Sequence, residues 1–167
     1  MIRTSQEQDI VRIADIWLDT NLKAHHFIPA QYWTDNFETV KGMLSQAELY
    51  VYEDERGMQG FVGLSGDYIA GIFVRSEAQS HGIGKQLIDY VKGLKKRLNL
   101  SVYQKNVRAV HFYQKEQFQI LREQMDEDTG EAEYRMGWER EQQESIKIWL
   151  KVKRNLQRFR KISTLHK

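Results

Sequence analysis

Cysteine is absent from this chain of 167 residues. Disulfides, thiolate-held metals and a cysteine nucleophile are thereby excluded. Proline occurs once, at Pro29. No apolar run approaches the roughly 20 residues of a membrane-spanning helix, so no membrane span is expected. The start, Met1-Ile2-Arg3-Thr4, turns polar at once, and no signal peptide is expected. A cytoplasmic protein is the default expectation. The last shortage is of one charge: residues 145–167 contain no carboxylate.

That shortage divides the chain. The formal net charge is +2, but all 23 acidic residues and only 17 of the 25 Lys and Arg lie at or before Glu144, a net −6. The other eight cations sit in 145–167. The expected organisation is one domain over 1–140 and a basic extension over 141–167. In the extension Trp149, Val152, Leu156, Phe159 and Ile162 recur at helical spacing between basic residues, which predicts a basic amphipathic helix.

Within the first part, Ile2 to Thr4 reads as a short strand. Ile10, Ile13, Ala14, Trp17 and Leu18 make the stripe of an amphipathic helix. Asn21 to Pro29 breaks it, and Tyr32, Trp33, Phe37, Val40 and Leu44 predict a second helix. Strands follow over 49–53, 58–64 and 68–74, then a helix reaching Leu98, a strand over 100–104 and a short helix at Ala109. Strands over 118–123 and 133–138 close the pattern around Asp128-Thr129-Gly130. The order β-α-α-β-β-β-α-β-α-β-β implies an α/β fold in the broad sense (mixed α+β), a mixed and mostly antiparallel sheet flanked by helices.

The stretch Gln79-Ser80-His81-Gly82-Ile83-Gly84-Lys85 joins the 68–74 strand to a helix built on Ile83, Leu87, Ile88, Val91, Leu94 and Leu98. Glycine lets the backbone approach a ligand closely, and the first-turn N–H groups of a helix have no intrahelical partner. The helix dipole favours negative charge at the same place. A pyrophosphate is the ligand this suggests; a plain glycine turn is the alternative. The spacing fits neither a Walker loop nor the dinucleotide fingerprint, since position 87 is Leu87.

Asn106 follows a strand, and Tyr113 stands seven residues on, about two helical turns. A phenol with a pKa near 10 can return a proton to a departing thiolate. Core packing by Phe112 and Tyr113 is the competing reading. Together, Gln79-x-x-Gly82-x-Gly84 after an apolar strand and the downstream Asn106 and Tyr113 resemble the GNAT superfamily of acetyl-CoA-dependent N-acetyltransferases, in element order over 1 to about 140. Phe27-Ile28, Tyr32-Trp33, Val102 to Asn106 and Ala109-Val110-x-Phe112-Tyr113 are similar to its small bacterial YiaC/YjaB-type members.

The resemblance implies transfer of an acetyl group from acetyl-CoA to a primary amine by direct attack. It implies that backbone N–H groups of His81, Gly82, Ile83, Gly84 and Lys85 take the pyrophosphate, with Gln79 in the same motif. Ile72, Phe73 and Val74 would pair through their backbone with the pantetheine arm, one of their N–H groups polarising the thioester carbonyl. Asn106 would bond that arm, and Tyr113 would be the general acid. Gln117 stands where the family often has glycine, and must accept that backbone or reshape the turn. The family's frequent glutamate base has no clear counterpart.

His25, His26, Glu53, Asp67 and Tyr68 are candidates for the base or amine guide, with His26 put first. Solvated or loop-packing histidines are the bland alternative, and a water-relayed base would serve equally. No metal is expected, because His25 and His26 lack a third ligand at a recognisable spacing. Phe27, Tyr32 and Tyr103 are candidates for the acceptor groove. Two rival readings place function in 145–167: nucleic-acid engagement, including transfer to charged tRNA, or a helix that docks on a partner or membrane. A non-catalytic acyl-CoA-binding domain is a further alternative, as is a solvated tail without a role.

Overall fold

The computed structural model describes residues 1–163, and of 142, 143 and 155–163 the backbone alone. Along the chain run β1 (Ile2–Thr4), α1 (Ile10–Ala24), α2 (Ala30–Asp35), α3 (Phe37–Leu44), β2 (Glu48–Asp54), β3 (Gly57–Ser65) and β4 (Tyr68–Val74). Then come α4 (Ile83–Leu94), β5 (Arg97–Tyr103), α5 (Val107–Lys115), β6 (Gln119–Met125), β7 (Ala132–Glu139) and α6 (Arg140–Ser163). The expected order holds, with two refinements. The helix expected to reach Leu98 ends at Leu94, and Leu98 is already in β5, opposite Trp138. The second helix is two pieces, because Asn36 turns its side-chain amide onto the Tyr32 carbonyl at 2.7 Å and interrupts the ladder.

One seven-stranded sheet has the order β1-β2-β3-β4-β5-β7-β6. Strand alternation sends Leu49 and Val51 to one face, with Ile13 and Ile16 of α1. Val62, Leu64 and Ile69 turn to the other, under Leu87, Ile88 and Val91 of α4. The last three are wholly buried, and each such side chain contributes about 1.5–3 kcal/mol. Both helical layers are therefore locked to the sheet, which gives the strand ends a rigid frame.

Every neighbouring pair is antiparallel except β4 and β5. That parallel pair has only two registers, Tyr68↔Asn99 and Ile69↔Leu100. Beyond Ile69 the strands part. A bulge contributes: Gly63 faces Gly71 and Leu64 faces Ile69, so Ala70 is an extra residue on β4. Bulges bend the strand that carries them. The sheet thus opens at its centre toward the start of α4 and of α5.

At the far end, Arg140 anchors the start of α6. Its Nη2 donates to the carbonyls of Lys92 (2.6 Å) and Lys95 (3.0 Å), carbonyls freed where α4 ends. Ile148, Trp149 and Val152 on α6 are exposed. The expected continuation of that stripe through Leu156, Phe159 and Ile162 lies outside the described side chains.

Candidate active site

The opening is a cleft of about 1320 Å³ whose lining includes Ile72, Phe73, Val74, Gln79, Gly82, Gly84, Asn106 and Tyr113. One wall is main chain. The Arg75 N–H donates to Gln59 O at 2.8 Å, so the pairs 59/75 and 61/73 exchange hydrogen bonds across β3 and β4. The main-chain groups of Ile72 and Val74 then point away from β3, into the opening. Phe73 is a correction to the sequence reading: its N–H and C=O face Phe61, and its ring stacks on the Phe61 ring at 4.9 Å. It offers the cleft a side-chain surface rather than a backbone pair.

Gly82 caps α4 with φ of 79°, a left-handed conformation that glycine adopts without penalty. A Cβ there would meet nothing within 4 Å, so the space over the turn is open. The turn is tied down from both sides. Gln79 Nε2 donates to the Val74 carbonyl at 2.9 Å, while Gln79 Oε1 accepts from Arg108 Nη1 at 2.7 Å. Arg108 Nη2 reaches Ser80 Oγ at 3.1 Å. Gln79 therefore braces the turn, and Arg108 brings a cation to it that sequence reasoning missed. Its position in the first turn of α5 signalled nothing, since the contact spans 29 residues. Ile83 is buried under the turn, and Lys85 pairs with Asp89 at 2.8 Å. His81 is exposed and off the lining, its Nδ1 2.8 Å from the Gln79 carbonyl.

Asn106 and Tyr113 come to the same cleft. Asn106 caps α5 by accepting from the Ala109 N–H at 3.2 Å. Tyr113 is 8 % exposed and makes no side-chain hydrogen bond among the described residues. Burial, with the nearby Tyr68, holds its phenol above the ordinary pKa, so it stays protonated. A protonated phenol on a residue that lines the cleft can act as an acid. Just beyond it, Gln117 accepts the left-handed backbone with φ of 71°.

Of the base candidates only His25 lines the cleft; His26, Glu53, Asp67 and Tyr68 do not. His26 is exposed, with its ring at the edge of Phe27. Preferring it over His25 therefore needs correction: the helix ends at Ala24, and the turn it enters points the first histidine inward and the second out. Glu53 is held by Arg3 at 3.0 Å, and Asp67 faces Arg97.

Phe27, Tyr32 and Tyr103 are not on the lining itself. They form an aromatic wall beyond His25. The imidazole stacks on Trp33 at 5.4 Å and meets Phe27 and Tyr103 edge-on at 5.6 and 5.1 Å. Tyr32 packs on Trp33 at 5.0 Å. The Tyr103 hydroxyl donates to Asp126 at 2.6 Å. Burial works against the Asp126 charge, yet Tyr103 and the Asp128 N–H hold its carboxyl below the usual range. The wall thus carries a carboxylate at its rim.

The match with known proteins follows this geometry. Residues 45–120 match the family model described as an acetyltransferase (GNAT) domain. The chain is 36 % identical over 140 residues to the peptidyl-lysine N-acetyltransferase YiaC of Escherichia coli, covering 83 % of this chain and 96 % of that one. It is 28 % identical to the peptidyl-lysine N-acetyltransferase YjaB of the same organism, over 77 % of this chain and 88 % of that one. The solution structure of apo YjaB superposes with a TM-score of 0.75 at 26 % identity, covering 83 % and 96 % of the two chains. A spermidine N-acetyltransferase from Vibrio cholerae, solved with CoA and spermine, shares the fold with a TM-score of 0.65 at 18 % identity, over 84 % and 95 %. These similarities lend no support to a nucleic-acid role for the tail or to a non-catalytic domain. No described helix is long and apolar enough to cross a membrane. The chain belongs to the GNAT family and is an N-acetyltransferase of that type.

Proposed function

We propose that this enzyme transfers the acetyl group of acetyl-CoA to lysine side chains of proteins. The observation that carries the reading is the parting of β4 from β5 after Ile69, with Tyr113, whose hydroxyl has no hydrogen-bond partner among the described residues, lining the cleft. Unpaired main-chain groups of a half-buried strand need partners. Ile72 and the N–H of Val74, whose carbonyl is taken by Gln79, fit an arm that itself carries amides, and the open left-handed turn at Gly82 fits a pyrophosphate. Acetyl-CoA, when bound, supplies the activated thioester. CoA in the Vibrio cholerae neighbour's structure supports the same choice.

In this reading Ile72 and Val74 hold the pantetheine arm, and an N–H among them polarises the acetyl carbonyl. The N–H groups of residues 81–85 take the pyrophosphate, with Arg108 beside them. The acceptor nitrogen attacks the carbonyl carbon as the carbon–sulfur bond breaks, and the Tyr113 hydroxyl donates its proton to the departing sulfur. The acceptor ammonium must first lose a proton to water or a base before its lone pair can attack. The nitrogen gives up a second proton to solvent as the amide forms, and solvent restores the Tyr113 phenol.

The lysine acceptor rests on the wall beyond His25. Phe27, Tyr32 and Tyr103 suit the methylene stem and its charge, and Asp126 suits the approaching ammonium. The names of the two bacterial relatives support the same acceptor. Residues 141–167 are an appendage to this activity, and their removal leaves it intact. The test is thiol release from acetyl-CoA against lysine peptides, N-terminal amines and polyamines. Turnover is expected with lysine peptides. Turnover with polyamines alone would overturn the acceptor, and no turnover with any amine would overturn the reaction.

A further inference from the structure

His25 belongs to a chain of four hydrogen bonds that joins the acceptor-side helix α1 to the start of α5. Asn21 Nδ2 donates to the Trp17 carbonyl at 2.9 Å. Asn21 Oδ1 lies 3.0 Å from His25 Nδ1, and His25 Nε2 lies 3.0 Å from Asn106 Nδ2. Asn106 Oδ1 accepts from Ala109 N–H at 3.2 Å. The ends fix every polarity between them. A carbonyl at Trp17 can only accept, so Asn21 turns its amine to it and its oxygen to His25. An N–H at Ala109 can only donate, so Asn106 turns its oxygen there and its amine to His25. The imidazole must therefore donate from Nδ1 and accept at Nε2. An imidazolium would set an N–H against the Asn106 amine.

We propose that His25 is a positioning residue: neutral and protonated on Nδ1, it locks the Asn106 amide and so sets the start of α5 and the Tyr113 hydroxyl. The Nε2 lone pair is occupied, so His25 is not the base. Asn106 has two N–H groups. One goes to His25, and the other makes no bond among the described residues, which leaves it for the cleft that Asn106 lines. Without His25 the amide loses one of its two restraints and can turn that N–H away.

The surroundings agree. Phe27, Trp33 and Tyr103 enclose the ring, and burial pushes its pKa down to about 4. Lys23 lines the same cleft and is paired with Asp19 at 2.9 Å. Lys105 stands over Phe27 at 5.5 Å and is paired with Glu131 at 2.9 Å. Asp126 is held at the Tyr103 hydroxyl.

The inference rests on the reading of Tyr113 for its catalytic consequence, but the tautomer does not. Nitrogen-15 NMR of the intact protein is expected to give His25 a protonated Nδ1 and a bare Nε2, unchanged from pH 8 to 5. A proton on Nε2, or titration near 6.5, would overturn the proposal. In Asn106→Asp the carboxylate still caps Ala109 but can only accept from the ring. The proton is expected to move to Nε2 and the His25 titration to rise; an unchanged spectrum would count against the proposal. In turnover, His25→Ala and Asn106→Ala are each expected to lower kcat about tenfold, with the double variant no worse than either. Independent, additive losses would contradict a shared role, whatever Tyr113 does.

Discussion

The two walls of the cleft are built from different material. The glycine turn and the end of β4 present main-chain groups, and their side chains mostly face elsewhere. The wall beyond His25 is made of side chains from the loop after α1, from α2 and β5, and from the turn between β6 and β7. A main-chain wall recognises what every cofactor molecule shares. A side-chain wall can change its residues one at a time without disturbing the sheet, which suits the component that differs between related enzymes.

Substitutions should separate the walls. The largest effect is expected where both serve one event: Tyr113→Phe lowers kcat about a hundredfold, measured by thiol release, with little change in KM for acetyl-CoA. Full turnover would break the assignment of the acid. Gly82→Ala places a side chain in the left-handed region, a strain of about 1–2 kcal/mol that the turn relieves by shifting. KM for acetyl-CoA is expected to rise roughly tenfold while KM for a lysine peptide stays put. Asp126→Asn should do the reverse, raising KM for the peptide about threefold at low salt and less at high salt. Equal effects on both substrates would dissolve the distinction. The smallest expected change is in stability alone. Gln117→Gly relieves a left-handed backbone and should gain about 1 kcal/mol in denaturant unfolding.

The same contrast explains what could be read in the sequence. Gly82 between a strand and a helix announces a backbone cradle because a conformation, not a contact, demands glycine there, whereas Gly84 is helical and its open side faces the Phe112 ring. The strands and the two outer helical layers were legible from periodicity, since burial on one face imposes it. The bulge at Ala70 was not, although it helps open the sheet; nothing in Tyr68 to Val74 distinguishes a residue that is paired from one that is extra. The side-chain wall was equally hidden. His25 and Asn106 are 81 residues apart, and His25 and His26 are chemically identical neighbours. Only the backbone direction after Ala24 decides which of the two turns inward. Gln117 was flagged by an absent glycine, and it took the backbone that glycine would have taken.

The most direct test of the two-wall cleft is an amide NMR titration of the protein with acetyl-CoA. Shifts are expected to concentrate at Ile72 and Val74, at residues 79–85 and along the start of α5, while the indole of Trp33 and the amides of Phe27 and Asp126 stay nearly still. Shifts centred on the aromatic wall, with the glycine turn unmoved, would contradict it.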